Sequence, residues 1–555
     1  MATESVAARE QTSGTGLRRE VGFVGLFMAS EGSIIGSGWL FAALGAAILA
    51  GSASIISWVL AGIAVIILAL VHAELGAMYP VAGGTARFPH YAFGSVAGIS
   101  FGFFSWLQAA TVAPIEVLAV EGYASYWWPA LIHASGPNKG LITPLGYGVA
   151  VVLMAIFTVI NFLGVRWLAH TNSGITWWKI AIPTFAIIVL FTQFHGSNFT
   201  AAGGFMPEGM KGVFAAISSG GIVFAYLGFE QADQLAGEAR NPQRNIPRAI
   251  IGAVLLGVVI YCLLEIVFIG ALPGSQLLHG FAKIPDQNIV NGPFAGLAGI
   301  VGLGWLAFLL RVDAVISPGG TGLIYTTSTS RVSYGLARNR YYPQIFARTD
   351  RRGVPWFGLI FAFIVGLVAF LPFPSWYKLV GLVTAASVLM YAGAPLAMGA
   401  FRRQVPDANR PYRMPGADVL APIAFIIANL IIYWSGLETL WKLGIAMIVG
   451  YIIIGVAMAF DSKRPPLELK SAQWLPVYLI GMGIISWQGQ FSGGAVQAPI
   501  NTNHIPFGWD MLVVAAFALV IYYWARAVRL PREEMLALVE RQAAPEMEEA
   551  PTAAG

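Results

Sequence analysis

Lys179 and Arg311 both lie inside long apolar runs, as do the carboxyls Glu31, Glu230 and Asp313. In the middle of a bilayer an ionised Asp, Lys or Arg costs at least ~2.5 kcal/mol, so each such group needs a partner, a proton or a task. Two clusters of small residues accompany them. Gly32-Ser33-Ile34-Ile35-Gly36-Ser37-Gly38 follows Glu31, and Ser218-Ser219-Gly220-Gly221 precedes the run from Phe224 to Glu230. Each glycine costs a helix ~1 kcal/mol relative to alanine. A helix broken there presents the N–H groups of one half and the C=O groups of the other. Those are sites for a carboxylate and for an ammonium. Close packing of continuous helices through small residues is the alternative use of the same clusters.

The elements that position these residues follow from composition. The chain has 555 residues, 57% of them hydrophobic and only 11% charged. Soluble domains carry about 25% charged residues, so lipid is the solvent that fits. Apolar runs of roughly 20 residues, each long enough to cross a ~30 Å hydrocarbon layer as a helix, recur from Val21 to Arg529. They predict an all-α membrane protein with about 14 transmembrane helices. Span 1 is expected over Val21–Leu44, span 5 over Ile175–Phe194, span 6 over Gly212–Leu235 and span 8 over Phe294–Thr329. The last two are expected over Trp474–Trp487 and Trp509–Ala527. The first of that pair is short, so 13 spans or a re-entrant segment also fit.

Charge placement orients the layout. With the N-terminus inside, 25 of the 32 Lys and Arg residues fall on the inner side and five on the outer side. Only Lys179 and Arg311 remain in spans. That asymmetry follows the positive-inside rule and predicts a multi-pass protein of the cytoplasmic membrane with both termini in the cytoplasm. It also disposes of a nucleic-acid partner, because the net charge of +5 is spread between spans rather than gathered in a patch. The lone Cys262 excludes an intrachain disulfide. The expected organisation is a cytoplasmic segment at 1–19, a core of ten helices at 20–401 and helices 11–12 at 402–460. Two further helices at 461–530 and a cytoplasmic tail at 531–555 complete it.

Span 1 runs inside to outside and span 6 runs outside to inside. Interrupted helices at corresponding places in two oppositely oriented units mark an inverted-repeat transporter. The expected core is therefore a five-plus-five inverted repeat with discontinuous helices 1 and 6.

Several motifs fit this layout. They are Gly36-Ser37-Gly38, Glu74-Leu75-Gly76-Ala77-Met78-Tyr79-Pro80 with Gly83-Gly84, and Phe229-Glu230 through Glu238-Ala239-Arg240-Asn241-Pro242 to Arg248. Ser330-Arg331 to Asn339 with Pro343, and Arg402-Arg403 to Pro415-Gly416, complete the set. In order, over roughly residues 20–460, they resemble the amino acid–polyamine–organocation superfamily of permeases. Among bacterial members the chain resembles the aspartate–proton symporter branch most. The resemblance implies alternating access. It also implies that the substrate carboxylate binds the amides of Gly36, Ser37 and Gly38, and that its ammonium binds carbonyls at Ile34, Phe224 and Leu227. Phe224 matches a gating aromatic. Lys179 looks like a helix 5 lysine of proton-coupled relatives that replaces a sodium ion and touches helices 1 and 8, so that a proton stands in for the ion and Lys179 is a candidate for proton coupling. Glu230 matches a carboxylate implicated in proton sensing.

Each charge has a plainer reading. Lys179 could snorkel to the inner interface, and Glu230 could brace frayed backbone. Glu31 could pair with Lys179. Arg311 and Asp313, two residues apart, do not share a helix face. Arg311 either pairs with Glu116, Glu121 or Glu265, or meets the second carboxylate of an acidic substrate, a task suited to its planar fork. Motifs of hydrolases, nucleotide-binding loops and metal clusters are absent from the sequence, so no enzyme and no cofactor is expected. A channel or sensor is a competing class, but no filter-like repeat or signalling domain supports it. The expected activity is proton-coupled import of an amino acid, with aspartate or glutamate as candidates. Exchange of amino acids or polyamines is the alternative. Oligomeric state is not legible.

Overall fold

The computed structural model describes residues 21–81, 83–163, 165–201, 203–350, 353–461, 464–491 and 502–543, without the side chains of 165–173 and 541–543. The segment 1–19 and the end of the tail lie outside the described residues. The described chain is helical, with two isolated β-bridges, Val21 to Ala239 and Ile132 to Ile142. Among the described residues ten helices are long and apolar enough to cross a membrane. The remaining crossings expected from the sequence fall on shorter pieces, including Phe23–Ile34, Trp356–Ala369 and the 15-residue Trp474–Gln488.

The first five-span unit comprises α1 (Phe23–Ile34) with α2 (Gly38–Ala50), α3 (Ser54–Met78), α4 (Gly84–Phe93), α5 (Ser95–Ala124), α6 (Pro144–Phe162) and α7 (Val165–Phe191). The second comprises α8 (Gly209–Ser218), α9 (Ile222–Tyr226), α10 (Gln231–Gln234), α11 (Pro242–Ala271), α12 (Pro293–Ile300), α13 (Gly304–Arg338), α14 (Trp356–Ala369), and α15 (Trp376–Tyr391) with α16 (Gly393–Gln404). Corresponding helices pack on each other across the molecule: α3 along α11, and α5 along α13. The first half of span 1 packs on α11, and the first half of span 6 packs on α3. That reciprocity is what an inverted repeat requires.

The helices differ in what they face. α5 is enclosed by protein along its apolar window. By contrast, α17 (Ala417–Trp434) is followed by α18 (Leu437–Ala459), which turns Ile445, Ile448, Ile452 and Val456 outward. Such a stripe is costly in water and costs nothing against acyl chains. The chain continues through α19 (Trp474–Gln488), α20 (Trp509–Ala527) and α21 (Arg532–Ala543).

Two expectations need correction. Phe294 is not part of span 8, because Gly302 adopts φ 82° and ends α12, and the crossing begins afresh at Gly304. Span 6 is interrupted twice, at Ser219–Gly221 and again at Leu227–Glu230, leaving the five-residue α9 between.

The motif at the end of α3 has a structural reason. Glu74 accepts from Arg402 at 2.8 Å, lies 3.3 Å from Arg410, and accepts from the Met414 amide at 2.7 Å. It ties span 2 to the segment after span 10. Nearby, the Val21 amide donates to Glu238 O at 3.0 Å, and the Arg240 amide donates to Val21 O at 2.7 Å. The start of span 1 is thereby pinned beside the end of span 6.

The breaks of spans 1 and 6 touch at Gly228. This residue holds φ 122°, and a Cβ there would lie 2.6 Å from Ile34 N. Gly228→Ala is therefore expected to destabilise the protein by about 1–3 kcal/mol from backbone strain alone. Thermal melting of the purified protein checks this. Gly299→Ala, with no atom within 4 Å of the new methyl, should melt as wild type. Equal melting of the two variants would contradict the packing described here.

Candidate functional site

α1 stops at Ile34, Ile35 leaves the helical region at φ −86°, ψ 85°, and α2 starts at Gly38. The break frees the first amides of α2, the positive end of a half-helix. The Ser37 amide donates at 2.8 Å to Oε2 of Glu116 on α5. A carboxylate from the protein thus stands on the amide where the motif resemblance puts a substrate carboxylate. Glu116 is fully buried, and its Oε1 has no hydrogen-bond partner among the described residues. Gly36 permits the approach, since a Cβ there would lie 2.8 Å from Glu116 Oε1 and 2.9 Å from Thr321 Oγ1.

Beside this contact lies a cavity of about 230 Å³. Five of the six residues expected to bind substrate line it: Ile34, Gly36, Gly38, Phe224 and Leu227. Glu116, Thr321 and Tyr325 line it as well. Ser37, the sixth, sits beside it, with its amide on Glu116 and its Oγ accepting from Trp376 Nε1 at 2.9 Å. The Phe224 ring meets Trp376 edge-on at 5.7 Å, and Trp376 stacks on Phe41 at 5.1 Å. Of these rings, Phe224 lines the cavity. The carbonyls expected to take an ammonium are partly engaged. Ile34 O accepts from Tyr261 Oη at 2.9 Å and from the Gly36 amide at 3.1 Å, and Phe224 O accepts from the Leu227 amide at 3.1 Å.

Lys179 does not snorkel. It is fully buried, and Nζ donates to Gly32 O at 2.6 Å and to Thr321 Oγ1 at 2.7 Å. The ammonium therefore sits at the C-terminal, negative end of α1 and bridges it to α13, which is where a cation is favoured. Glu116 and Asp313 lie within electrostatic reach of it. One side of the α1 break holds the Lys179 amine and the other holds the Glu116 carboxyl group.

The other expected charges are arranged differently. Glu230 accepts from Tyr325 Oη at 3.0 Å, from the Gly228 amide at 2.9 Å, and from Tyr391 Oη. Three donors on one carboxylate at a frayed helix match the bracing alternative. Glu31 does not pair with Lys179. It is fully buried, and neither oxygen has a partner among the described residues. Arg311 pairs with none of its candidates. Glu265 accepts from Ser54 Oγ, Glu116 from Ser37, and both Glu121 oxygens are unpartnered among the described residues. Its guanidinium lies 3.5 Å over the Tyr126 ring. Asp313 faces elsewhere, accepting from Trp178 Nε1 at 2.8 Å and Ser317 Oγ at 2.7 Å.

Sequence reasoning missed the place of Glu116 beside the break, along with Thr321, Tyr325 and Trp376. Glu116 did carry the signal used for the other charges, a carboxyl inside an apolar run, but was weighed only as a partner for Arg311. The hydroxyl and ring residues carry no such mark.

Comparison with known proteins agrees with this geometry. The profile of the family described as amino acid permease matches residues 21–457. The chain is 38% identical over 519 residues to the glutamate/serine transporter AimA of Bacillus subtilis (strain 168), covering 92% of this chain and 94% of that protein. It is 37% identical over 511 residues to the aspartate-proton symporter of the same organism, covering 91% and 96%. Against the branched-chain amino acid permease BcaP of that organism it is 26% identical over 451 residues, covering 79% and 92%. Two broken helices meeting at a buried cavity, and a match along most of the chain, lead to one conclusion: this protein is a multi-pass membrane transporter of the amino acid permease family.

Proposed function

We propose that this chain imports an amino acid together with a proton, and that Glu116 links the two. The single observation that carries the reading is the Ser37 N–H to Glu116 contact. An ionised Glu116 occupies the amide that an incoming α-carboxylate needs. Protonation weakens Glu116 as an acceptor, because charge-assisted bonds are roughly twice as strong as neutral ones. The amide is then free for the substrate. One carboxylate stands near Lys179 throughout, supplied first by the protein and then by the substrate. Proton and substrate therefore favour each other's binding, and this coupling is reciprocal.

The substrate ammonium is placed near Ile34, Phe224 and Leu227, with Tyr261 releasing the Ile34 carbonyl. Phe224 and Trp376 form the gate. Glu230 holds the broken part of span 6 in shape, and the unpartnered Glu31 is a further proton carrier, since an ionised carboxylate buried without a partner is costly. Transport proceeds as spans 1 and 6 tilt against the remaining helices. The charge asymmetry supports a cytoplasmic N-terminus and a place in the cytoplasmic membrane. An acidic substrate is supported by the two relatives named for glutamate/serine and aspartate-proton transport.

Uptake of labelled glutamate, aspartate and serine into proteoliposomes tests the reading. A pH gradient, acid outside, should drive accumulation, and apparent affinity should rise as the outer pH falls. Glu116→Gln should keep counterflow, lose the gradient's drive and bind substrate with little dependence on pH. A Glu116→Gln protein still driven by the gradient would rule out the role given to Glu116. Accumulation by wild type that ignores the gradient would favour exchange instead. Lys179→Met removes the buried amine and should weaken substrate binding by roughly tenfold or more, the scale of ~1.4 kcal/mol. Unchanged substrate protection against heat in that variant would remove Lys179 from the mechanism.

A further inference from the structure

Arg311 is an intramembrane charge that the mechanism above does not use. It is 8% exposed. Among the described residues it forms no ion pair and no hydrogen bond. A buried guanidinium without an anion is costly. The Tyr126 ring at 3.5 Å and Trp127 at 5.9 Å offset part of that cost through their π faces. They also leave the planar fork of N–H donors unused.

Arg311 lines an open recess together with Ser125, Asn288 and Asn291. Asn291 Nδ2 already donates to Ser125 Oγ at 3.3 Å. Asn288, on the short helix Gln287–Asn291, is exposed. The recess is narrow and lined by polar groups, which suits a single small polar group. A neutral hydroxyl would leave the charge unmatched, whereas a carboxylate matches the fork two bonds to two. Arg311 lies ten residues along α13 from Thr321, or roughly 15 Å at 1.5 Å per residue. The recess is thus separate from the central cavity, at the end of the bundle away from the arginine-rich loops.

We propose that the Arg311 recess is an outer docking site for the side-chain carboxylate of an acidic amino acid, which is held there before its passage to the central cavity. This rests on the carrier reading and on the outward orientation of that end. The site would set preference for acidic over neutral substrates without taking part in proton coupling.

Calorimetric titration of the purified full chain with glutarate, a dicarboxylate without an ammonium, tests the site apart from transport. Wild type should bind glutarate. Arg311→Met and Asn288→Asp should each weaken it by roughly tenfold or more, and Arg311→Lys by less. Asn288→Asp alters an exposed side chain and keeps the test standing if Arg311→Met does not fold. In proteoliposomes both variants should lower the ratio of glutamate to serine uptake. No glutarate binding by wild type, unchanged binding in both variants, or full displacement by an equal concentration of chloride would overturn the proposal. Absent glutarate binding beside normal uptake would remove the docking site alone. Binding without uptake of any amino acid would remove the carrier reading alone.

Discussion

One hydrogen bond organises the site: the Ser37 amide, freed by the break in span 1, donating to Glu116 on α5. An amide at the start of a half-helix in a low-dielectric interior must find an acceptor. In this protein the acceptor is a carboxylate, and in the proposed function it competes with the substrate's own. The same constraint acts at the other end of the break, where the last carbonyls of α1 must find a donor. Lys179 meets that need at Gly32 O. The broken helix is therefore stable only with charges on either side of it, and those charges are the ones that a zwitterion and a proton can exchange.

The rest of the fold keeps this contact in place while permitting movement. α5 and α13 pack along each other and carry Glu116 and Thr321 to the break. Thr321 Oγ1 bridges Lys179 Nζ to α13 at 2.7 Å. Span 6 meets span 1 through backbone at Gly228, so the two breaks share one surface. The aromatic cluster of Phe224, Trp376 and Phe41 is joined to the break through Trp376 Nε1 and Ser37 Oγ. On the opposite side Glu230, Tyr325 and Tyr391 form a second polar knot, with Tyr325 facing the cavity.

Much of this was legible in the sequence, because lipid imposes hard rules. Length, hydropathy and the distribution of Lys and Arg are enough to lay out the crossings, and glycine clusters mark the breaks, since unpaired backbone is tolerated only beside a cavity. The motif resemblance placed Ile34, Gly36, Gly38, Phe224 and Leu227 together, and these residues line one cavity. What was not legible is partnership across the chain. The partner of the Ser37 amide is 79 residues away, and nothing in either segment names the other. The pairing expected between Glu31 and Lys179 is absent, with Nζ directed to Gly32 O and Thr321 Oγ1 instead. Span 8 was begun too early because Phe294 to Ile300 reads as apolar helix, and only the left-handed Gly302 separates it from the crossing.

The most direct test of the central claim is a substrate-bound structure of the full-length protein, read at the Ser37 amide. The account predicts that the α-carboxylate of the bound amino acid takes that amide and that Glu116 has turned away from it. An amino acid bound in the cavity with the Ser37 amide still donating to Glu116 would contradict it.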